Sequence, residues 1–235
     1  MFNNFLGEWP THDRFILTSC DDLYFTEYFP RFYKTYKEHW QLPMHLHIID
    51  PSDASIQRLE KLDVTYTHCT TDKAVLKWPY SYETYCQAQR FILLGNNLTG
   101  KQSIIVADVD SYALRKPNKT QAETVSSDMA FTKFNNRLMA TFCNFHYNRS
   151  KEAKQAADDM EHLIRNTDTI GVDQLVIKNI FNNLPYNVLK HGTWIRHYDV
   201  KNKYDLIEHN HCLIYHEKGT RGKGKGMKVE WTDIE

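Results

Sequence analysis

The first half of the chain alternates short apolar runs with longer segments whose apolar residues recur every three or four positions. The runs predict strands at 14–18, 44–49, 64–67 and 103–107, and the longer segments predict helices between them. The first helix, at 26–36, contains Pro30, which favours a place in a first turn. Residues 103–107 are almost wholly apolar, as in a central strand buried on both faces. The pattern predicts an α/β protein with a mostly parallel central sheet and helices on both faces.

The second half of the chain continues this organisation less regularly. It has candidate strands at 129–131, 138–145 and 212–215, and candidate helices at 152–164 and from Val172 onwards. No stretch has the composition of a linker, so we expect one domain over residues 1–235. In sheets of this class ligands bind at the carboxyl ends of the strands.

The clearest chemical motif is Asp108-Val109-Asp110, directly after the apolar strand. In an extended segment the two aspartates would point to the same side. Two carboxylates so close repel each other unless a proton or a cation lies between them. The motif therefore predicts a site for Mg²⁺ or Mn²⁺, which also take phosphate oxygens as ligands. The alternative is a solvated acidic turn.

A second feature follows the last predicted strand, where His216 precedes a basic, glycine-rich stretch. Five basic residues and four glycines fall within 218–228. Such a stretch suits a diphosphate, because glycine lets backbone N–H groups approach an anion that the basic side chains neutralise. The alternatives are a disordered tail, a nucleic-acid contact or a weak nuclear-localisation signal.

His216 could add a nitrogen ligand to the acidic pair, which favours Mn²⁺ over Mg²⁺. Zinc is an alternative because His209, His211 and Cys212 lie nearby, although their spacing matches no common zinc site. His45 and His47 alternate with apolar residues and are interpreted as the polar face of a strand.

Composition narrows the class of protein further. The 29 basic and 29 acidic residues balance, which gives no general attraction to nucleic acid or anionic membranes. The N-terminus has no signal-peptide pattern, no apolar run approaches the roughly 20 residues that span a bilayer, and the five cysteines are scattered. These features predict a soluble, cytoplasmic protein with reduced thiols and no transmembrane segment.

Several of these residues together resemble one group of enzymes. A strand ending in Val106-Ala107-Asp108-Val109-Asp110, a preceding helix with Arg90, a later Asp173-Gln174 pair and a late His216-x-x-Gly219 are similar to the GT-A fold glycosyltransferases. The similarity is greatest to glycosyltransferase family 8, which includes glycogenin and bacterial galactosyltransferases. It implies a GT-A type, Rossmann-like fold, and transfer of a sugar from a nucleoside-diphosphate sugar, with UDP as the default, to a hydroxyl acceptor.

The resemblance also implies a role for each matching position. The metal ligands would be Asp108, Asp110 and His216, binding Mn²⁺ or Mg²⁺. The residues implied to be catalytic, near the transferred sugar, are Arg90, Asp173 and Gln174. Residues implied to bind the nucleotide-sugar are Thr18, Ser19, Asp50, Arg90, Asp108, Lys218, Gly219 and Arg221.

Two of these positions have other interpretations, and the family pattern is not complete. Arg90 could be an exposed helix residue beside Glu83 and Gln87, and Asp173 could be a helix cap. The segment after His216 differs from the family's Gly-x-x-Lys-Pro-Trp, which leaves retention of anomeric configuration open. Other functions are a nucleotidyltransferase, disfavoured because no glycine-rich basic loop follows the first strand, and a catalytically silent nucleotide-sugar-binding module.

Overall fold

Strands and helices alternate along the first half of the computed structural model, which describes residues 5–71, 76, 81–134, 137–190, 193–197, 212–216 and 229–234. The first eight elements are β1 (Leu6–Gly7), β2 (Arg14–Asp21), α1 (Asp22–His39), β3 (Met44–Ile49), α2 (Asp53–Leu59), β4 (Thr65–Cys69), α3 (Ser81–Asn97) and β5 (Ser103–Ala107). The later elements are β6 (Ser111–Ala113), α4 (Lys119–Val125), β7 (Met129–Phe134), β8 (Arg137–His146), α5 (Ser150–Asn166), α6 (Val172–Phe181), β9 (Asn187–Lys190), β10 (Ile195–His197) and β11 (Ile214–His216). Short 3-10 helices lie at Tyr147–Arg149 and Trp231–Asp233.

The central sheet is mostly parallel, as the sequence predicts. Within the described ranges it has eight strands in the order β1-β4-β3-β2-β5-β8-β7-β9. Strands β4, β3, β2 and β5 are mutually parallel, and β9 is parallel to β7. Strand β8 runs antiparallel to both of its neighbours, β5 and β7. A smaller sheet in the order β10-β11-β6 lies after the carboxyl end of β5.

Each face of the central sheet is covered by helices and has its own core. On one face α1 contributes Phe25, Phe29 and Phe32, which are fully buried in a cluster with Ile16 and Leu46. On the other face α3, α5 and α6 pack over a cluster that includes Phe15, Leu17 and Phe131. Full burial of one such side chain stabilises the fold by roughly 1.5–3 kcal/mol. The predicted three-layer α/β organisation is therefore confirmed.

Helix α1 is longer than its sequence pattern predicts. It begins directly after β2, where the Asp21 side chain accepts a hydrogen bond from the Tyr24 N–H at 2.9 Å and caps the helix. Pro30 lies inside this helix and is buried, so the predicted first-turn position is wrong. The aromatic residues that α1 buries on both sides of Pro30 offset the cost of the missing N–H.

The interpretation of His45 and His47 as the ordinary polar face of a strand is also wrong, since both side chains are fully buried. Residues of the N-terminal segment cover them: the Trp9 ring lies 5.0 Å from the His45 ring, and the Phe5 ring lies 5.0 Å from the His47 ring. Alternation correctly places the two imidazoles on one side of β3. It does not reveal that another segment packs against that side.

Hydrogen bonds to β4 compensate for the burial of these imidazoles. His45 contacts the Thr65 and Thr67 hydroxyls at 3.0 and 3.1 Å, and His47 contacts Thr67 at 3.0 Å and the Cys69 sulfur at 3.3 Å. Burial lowers the pKa of each histidine to about 3. Both rings are therefore neutral in the folded protein near pH 7.

We predict that this histidine pair makes the fold sensitive to mild acid. Between pH 6.5 and about 3 the unfolded chain binds protons that the folded protein excludes, so stability falls as pH falls through this window. Lowering the pH from 6.5 to 5 should reduce the free energy of unfolding by about 1.6 kcal/mol for each histidine. Urea unfolding at the two pH values measures this loss.

Replacement of single histidines separates this effect from general acid sensitivity. His47→Asn should be less stable at pH 6.5 but should lose less stability on acidification. His12→Asn, at an exposed position, is the matched control and should retain the wild-type dependence. Equal pH dependence in the wild type and His47→Asn would contradict the assignment.

Candidate functional site

The point where strand order reverses creates a crevice at the carboxyl edge of the central sheet. Strands β2 and β5 are parallel neighbours, and the chain proceeds outwards from them in opposite directions. Ligands bind at such a switch point in open α/β sheets. Ser19 and Asp21 lie at the end of β2, and Asp108 directly follows β5. The topology therefore brings both strand ends to one place.

Asp108 and Asp110 lie in a tight turn rather than in the extended segment that the sequence suggests. The Ser111 N–H donates to the Asp108 carbonyl at 3.0 Å, and the Asp108 N–H donates to Thr141 of β8 at 2.9 Å. The Ser111 hydroxyl adds a 2.6 Å bond to the same Asp108 carbonyl and contacts the Tyr36 hydroxyl at 3.1 Å. These bonds fix the backbone from which both carboxylates project.

His216 reaches the acidic pair through the smaller sheet. Strand β11 runs antiparallel to β6 and places His216 opposite Ser111, one residue after Asp110. Its Nε2 lies 3.1 Å from Asp108 Oδ2 and 3.1 Å from Asp110 Oδ1. One ligand atom from each of the three side chains lies within 4.8 Å of the others. Sequence positions more than 100 apart thus meet in one cluster.

The charge state of His216 follows from this geometry. Burial alone would disfavour the imidazolium, but the Asp110 and Asp108 carboxylates raise the pKa of His216 to about 10. Near pH 7 and without a metal, the protonated ring therefore balances part of the negative charge. A metal that takes the imidazole as a ligand must displace this proton.

Arg90 is the second cation of the site, and it is buried rather than exposed. Its Nη2 lies 2.6 Å from Asp108 Oδ1 and 3.2 Å from Asp173 Oδ2, and it donates to the Ala140 carbonyl at 3.3 Å. The alternative interpretation as an exposed partner of Glu83 and Gln87 is wrong. The polar stripe of α3 faces the pocket, with Arg90 at its inner end.

Helix α6 contributes the other wall of the site. Asp173 is in its first turn, but the cap residue is Gly171, whose φ of 68° is in the left-handed region. Burial raises the pKa of Asp173, and the Arg90 charge acts in the opposite direction. The Gln174 side chain accepts a bond from the Ala140 N–H at 3.3 Å. The interpretation of Asp173 as a helix cap is therefore wrong.

The cluster lies in a pocket of about 630 Å³. Of the residues that the sequence predicts, those that line it are Ser19, Arg90, Asp108, Asp110, Asp173, Gln174 and His216. Sequence reasoning missed Cys20, Asp21, Tyr24, Glu83, Cys86, Gln87, Val109 and Gly171 as lining residues. For the α3 members a signal was present, since Glu83, Gln87 and Arg90 recur at helical spacing. No sequence signal marks Tyr24 as a pocket residue, because α1 contains many other aromatic residues.

Other predicted site residues lie elsewhere. Thr18 is buried within β2 and is not among the lining residues. Asp50 accepts a 2.6 Å bond from the Thr71 N–H and is also not among them. Predicted residues outside the described part of the chain are Lys218, Gly219 and Arg221, together with the alternative zinc ligands His209 and His211.

No protein-family model and no curated protein matches this chain. Solved structures do match, among them the galactosyltransferase LgtC in complex with donor and acceptor sugar analogs. The match has a TM-score of 0.61, covers 87% of this chain and 87% of that chain, and has 10% sequence identity. At this identity the similarity shows the fold alone. The predicted GT-A type, Rossmann-like fold is confirmed, and membership of family 8 stays a prediction.

Among the described residues, no helix has the length and apolar character needed to cross a membrane.

We predict that Arg90 stabilises the fold chiefly by neutralising the carboxylates beside it. Arg90→Met leaves Asp108 and Asp173 close together without their common cation, which should lower the free energy of unfolding by roughly 3–5 kcal/mol. In the Arg90→Met/Asp173→Asn double variant one of these charges is absent, so part of the loss should be recovered. Urea unfolding of the four proteins in the cycle measures the coupling. Strictly additive losses would contradict it.

We predict that Mn²⁺ binding strengthens as pH rises, because His216 must lose its proton to become a ligand. With a pKa of about 10, affinity should increase by up to about tenfold for each pH unit between 6 and 8. Titration of Mn²⁺ followed by electron paramagnetic resonance measures this. His216→Gln should bind more weakly and with a shallower pH dependence. An identical slope in this variant would exclude His216 as the titrating ligand.

Proposed function

We propose that the chain is a glycosyltransferase that uses a divalent cation to bind a nucleoside-diphosphate sugar and transfers the sugar to a hydroxyl group. The observation that carries this proposal is the convergence of Asp108, Asp110 and His216 at the switch point of a GT-A type sheet. The sequence alone predicts these three residues as metal ligands. Their meeting in one pocket supports a shared role.

The donor atoms of this cluster fit a manganese or magnesium ion. Two carboxylates and one imidazole provide hard oxygen ligands and one nitrogen, which suits Mn²⁺ and permits Mg²⁺. The remaining coordination positions would accept diphosphate oxygens and water. When bound, the cation supplies Lewis-acid stabilisation of the negative charge that develops on the departing diphosphate.

The protein's own residues would hold the two ends of the donor. Of the described residues that line the pocket, Tyr24 is the one with a phenol ring. Its ring beside the end of β2 is suited to stack on a nucleobase, with Ser19 and Asp21 as hydrogen-bonding groups nearby. At the other end, Arg90, Asp173 and Gln174 form a polar wall suited to the hydroxyl groups of the sugar.

The transfer breaks the bond between the anomeric carbon and the diphosphate oxygen, and the electron pair leaves with the diphosphate. The acceptor oxygen forms the new bond to that carbon, and its proton passes to the diphosphate or to solvent. Arg90 is fixed by Asp108, Asp173 and the Ala140 carbonyl, so its charge is held in place without reorganisation during the reaction.

Some parts of this proposal rest on the sequence alone. The basic, glycine-rich stretch after His216 is predicted to neutralise the diphosphate through Lys218, Gly219 and Arg221. UDP as the nucleotide and retention of the anomeric configuration are implied by the family resemblance. They remain predictions that product analysis would test.

Ligand-dependent thermal stability tests the function directly. We predict that one nucleoside diphosphate, or its sugar, raises the melting temperature in the presence of Mn²⁺ and much less in its absence. Because ligands of the native state stabilise by mass action, a concentration about 100 times Kd should add roughly 5 °C or more. Asp110→Asn should remove this shift and remain folded.

The exposed Asp63 provides a matched control, since Asp63→Asn makes the same chemical change far from the pocket. It should retain the full Mn²⁺-dependent shift. A wild-type shift that Asp110→Asn leaves unchanged would refute the metal assignment. If the donor binds but no nucleoside diphosphate is released with any acceptor tried, the result would instead favour a catalytically silent binding module.

A further inference from the structure

Two lysines stand side by side at the end of the central sheet. Lys133 is near the end of β7 and Lys190 ends β9, and these parallel strands pair the two residues directly in register. Lys133 is partly exposed and Lys190 is exposed. Residues paired in this way point to the same face, and their strands lie about 4.8 Å apart. The structure therefore places two positive charges next to each other.

This arrangement costs stability, because like charges paired across strands repel. Within the part of the chain that the structure describes, neither lysine side chain makes a hydrogen bond or an ion pair. Other exposed lysines do have acidic partners, such as Lys37 with Asp63 and Lys154 with Asp158. A lysine on an edge strand can discourage aggregation, which would explain Lys190. It does not explain Lys133, whose strand lies between β8 and β9.

The position of the pair relates it to the pocket. Strand β8 is antiparallel to both β5 and β7, so β7 and β9 run in the same direction as β5. Their carboxyl ends therefore lie at the edge of the sheet where Asp108 follows β5. Two to three strand spacings, about 10–15 Å, separate the lysines from that point. This distance is within the reach of a short oligosaccharide.

The two lysines also lie on the face of the central sheet that α6, one wall of the pocket, covers. Lys133 is paired in register with Leu138, which belongs to the core cluster on the face covered by α3, α5 and α6. Helix α6 supplies Asp173 and Gln174 to the pocket from this same face. An extended ligand could thus lie along one edge, past the start of α6, and reach both places.

We propose that the acceptor is an anionic glycan whose carboxylate or phosphate group binds Lys133 and Lys190 while its hydroxyl group lies in the pocket. This rests on the proposed function and names the acceptor class. Lysine ammonium groups are compact charges that suit either anion. Because the contact is exposed to solvent, its strength falls as salt increases.

The probes are tetragalacturonic acid, its carboxyl-reduced neutral counterpart, and a mannotriose carrying a 6-phosphate. Calorimetric titration of the full chain at low salt measures binding of each. We expect one anionic probe to bind at least tenfold more tightly than the neutral one. The carboxylated and phosphorylated arms distinguish the two anions. Lys133→Ala or Lys190→Ala should weaken that binding by about five- to tenfold.

Lys133→Glu separates binding from folding. It creates an opposite-charge pair with Lys190, so the melting temperature should stay equal or rise, while binding of the anionic probe is lost. Lys101→Ala removes an exposed lysine at the opposite edge of the sheet, before β5, and should change neither property. Equal binding of the anionic and neutral probes, or undiminished binding by Lys133→Glu, would overturn the proposal.

A lipid surface is the competing partner, and vesicles of phosphatidylcholine and phosphatidylglycerol test it. Lysine-dependent binding to these vesicles without binding of either anionic glycan would overturn the proposal. Release of nucleoside diphosphate from the donor by the wild-type chain with Mn²⁺, without any acceptor, tests the proposed function independently. The glycan titration tests the acceptor proposal and donor turnover tests the proposed function, so either proposal can fail without the other.

Discussion

The site is governed by the need to balance negative charge in a largely buried pocket. Three carboxylates, those of Asp108, Asp110 and Asp173, face one another there, and two cations, Arg90 and His216, lie between them. Carboxylates brought this close at low dielectric take up protons or require cations. The fold around the pocket can be understood as the scaffold that brings those cations into place: α3 carries Arg90, and the smaller sheet carries His216.

The two cations differ in whether they can lose their positive charge. Arginine remains charged throughout the accessible pH range, and Arg90 holds one oxygen of Asp108 together with Asp173. His216 holds the other oxygen of Asp108 and can give up its proton. Asp108 is thus fixed from one side and open to exchange of the counter-ion on the other. The proposed metal would take the place of the imidazolium charge on this second side.

Local sequence patterns predict the secondary structure of each segment, but not the residues that pack against it. The apolar run before Asp108 is sufficient to predict a buried strand that ends in an acidic pair. The spacing of Glu83, Gln87 and Arg90 showed that they share a face of α3, and only the packing of that face against the pocket assigns Arg90 its burial. The same limit explains His45: alternation gives the side of the strand, whereas coverage by Trp9 depends on a contact distant in sequence.

Two buried imidazoles away from the site are stabilised by hydrogen bonds rather than by charge. His45 and His47 are fully buried, yet threonine hydroxyls and a thiol accommodate their nitrogens. Like charges, by contrast, lie close together at one edge of the sheet, where carboxylates crowd after β5 and Lys133 stands beside Lys190. Proteins break local rules mainly at functional sites, at a cost in stability. Opposite charges at two points of the same edge would suit the two proposed substrates, a donor whose diphosphate binds through a cation and an anionic acceptor beside it.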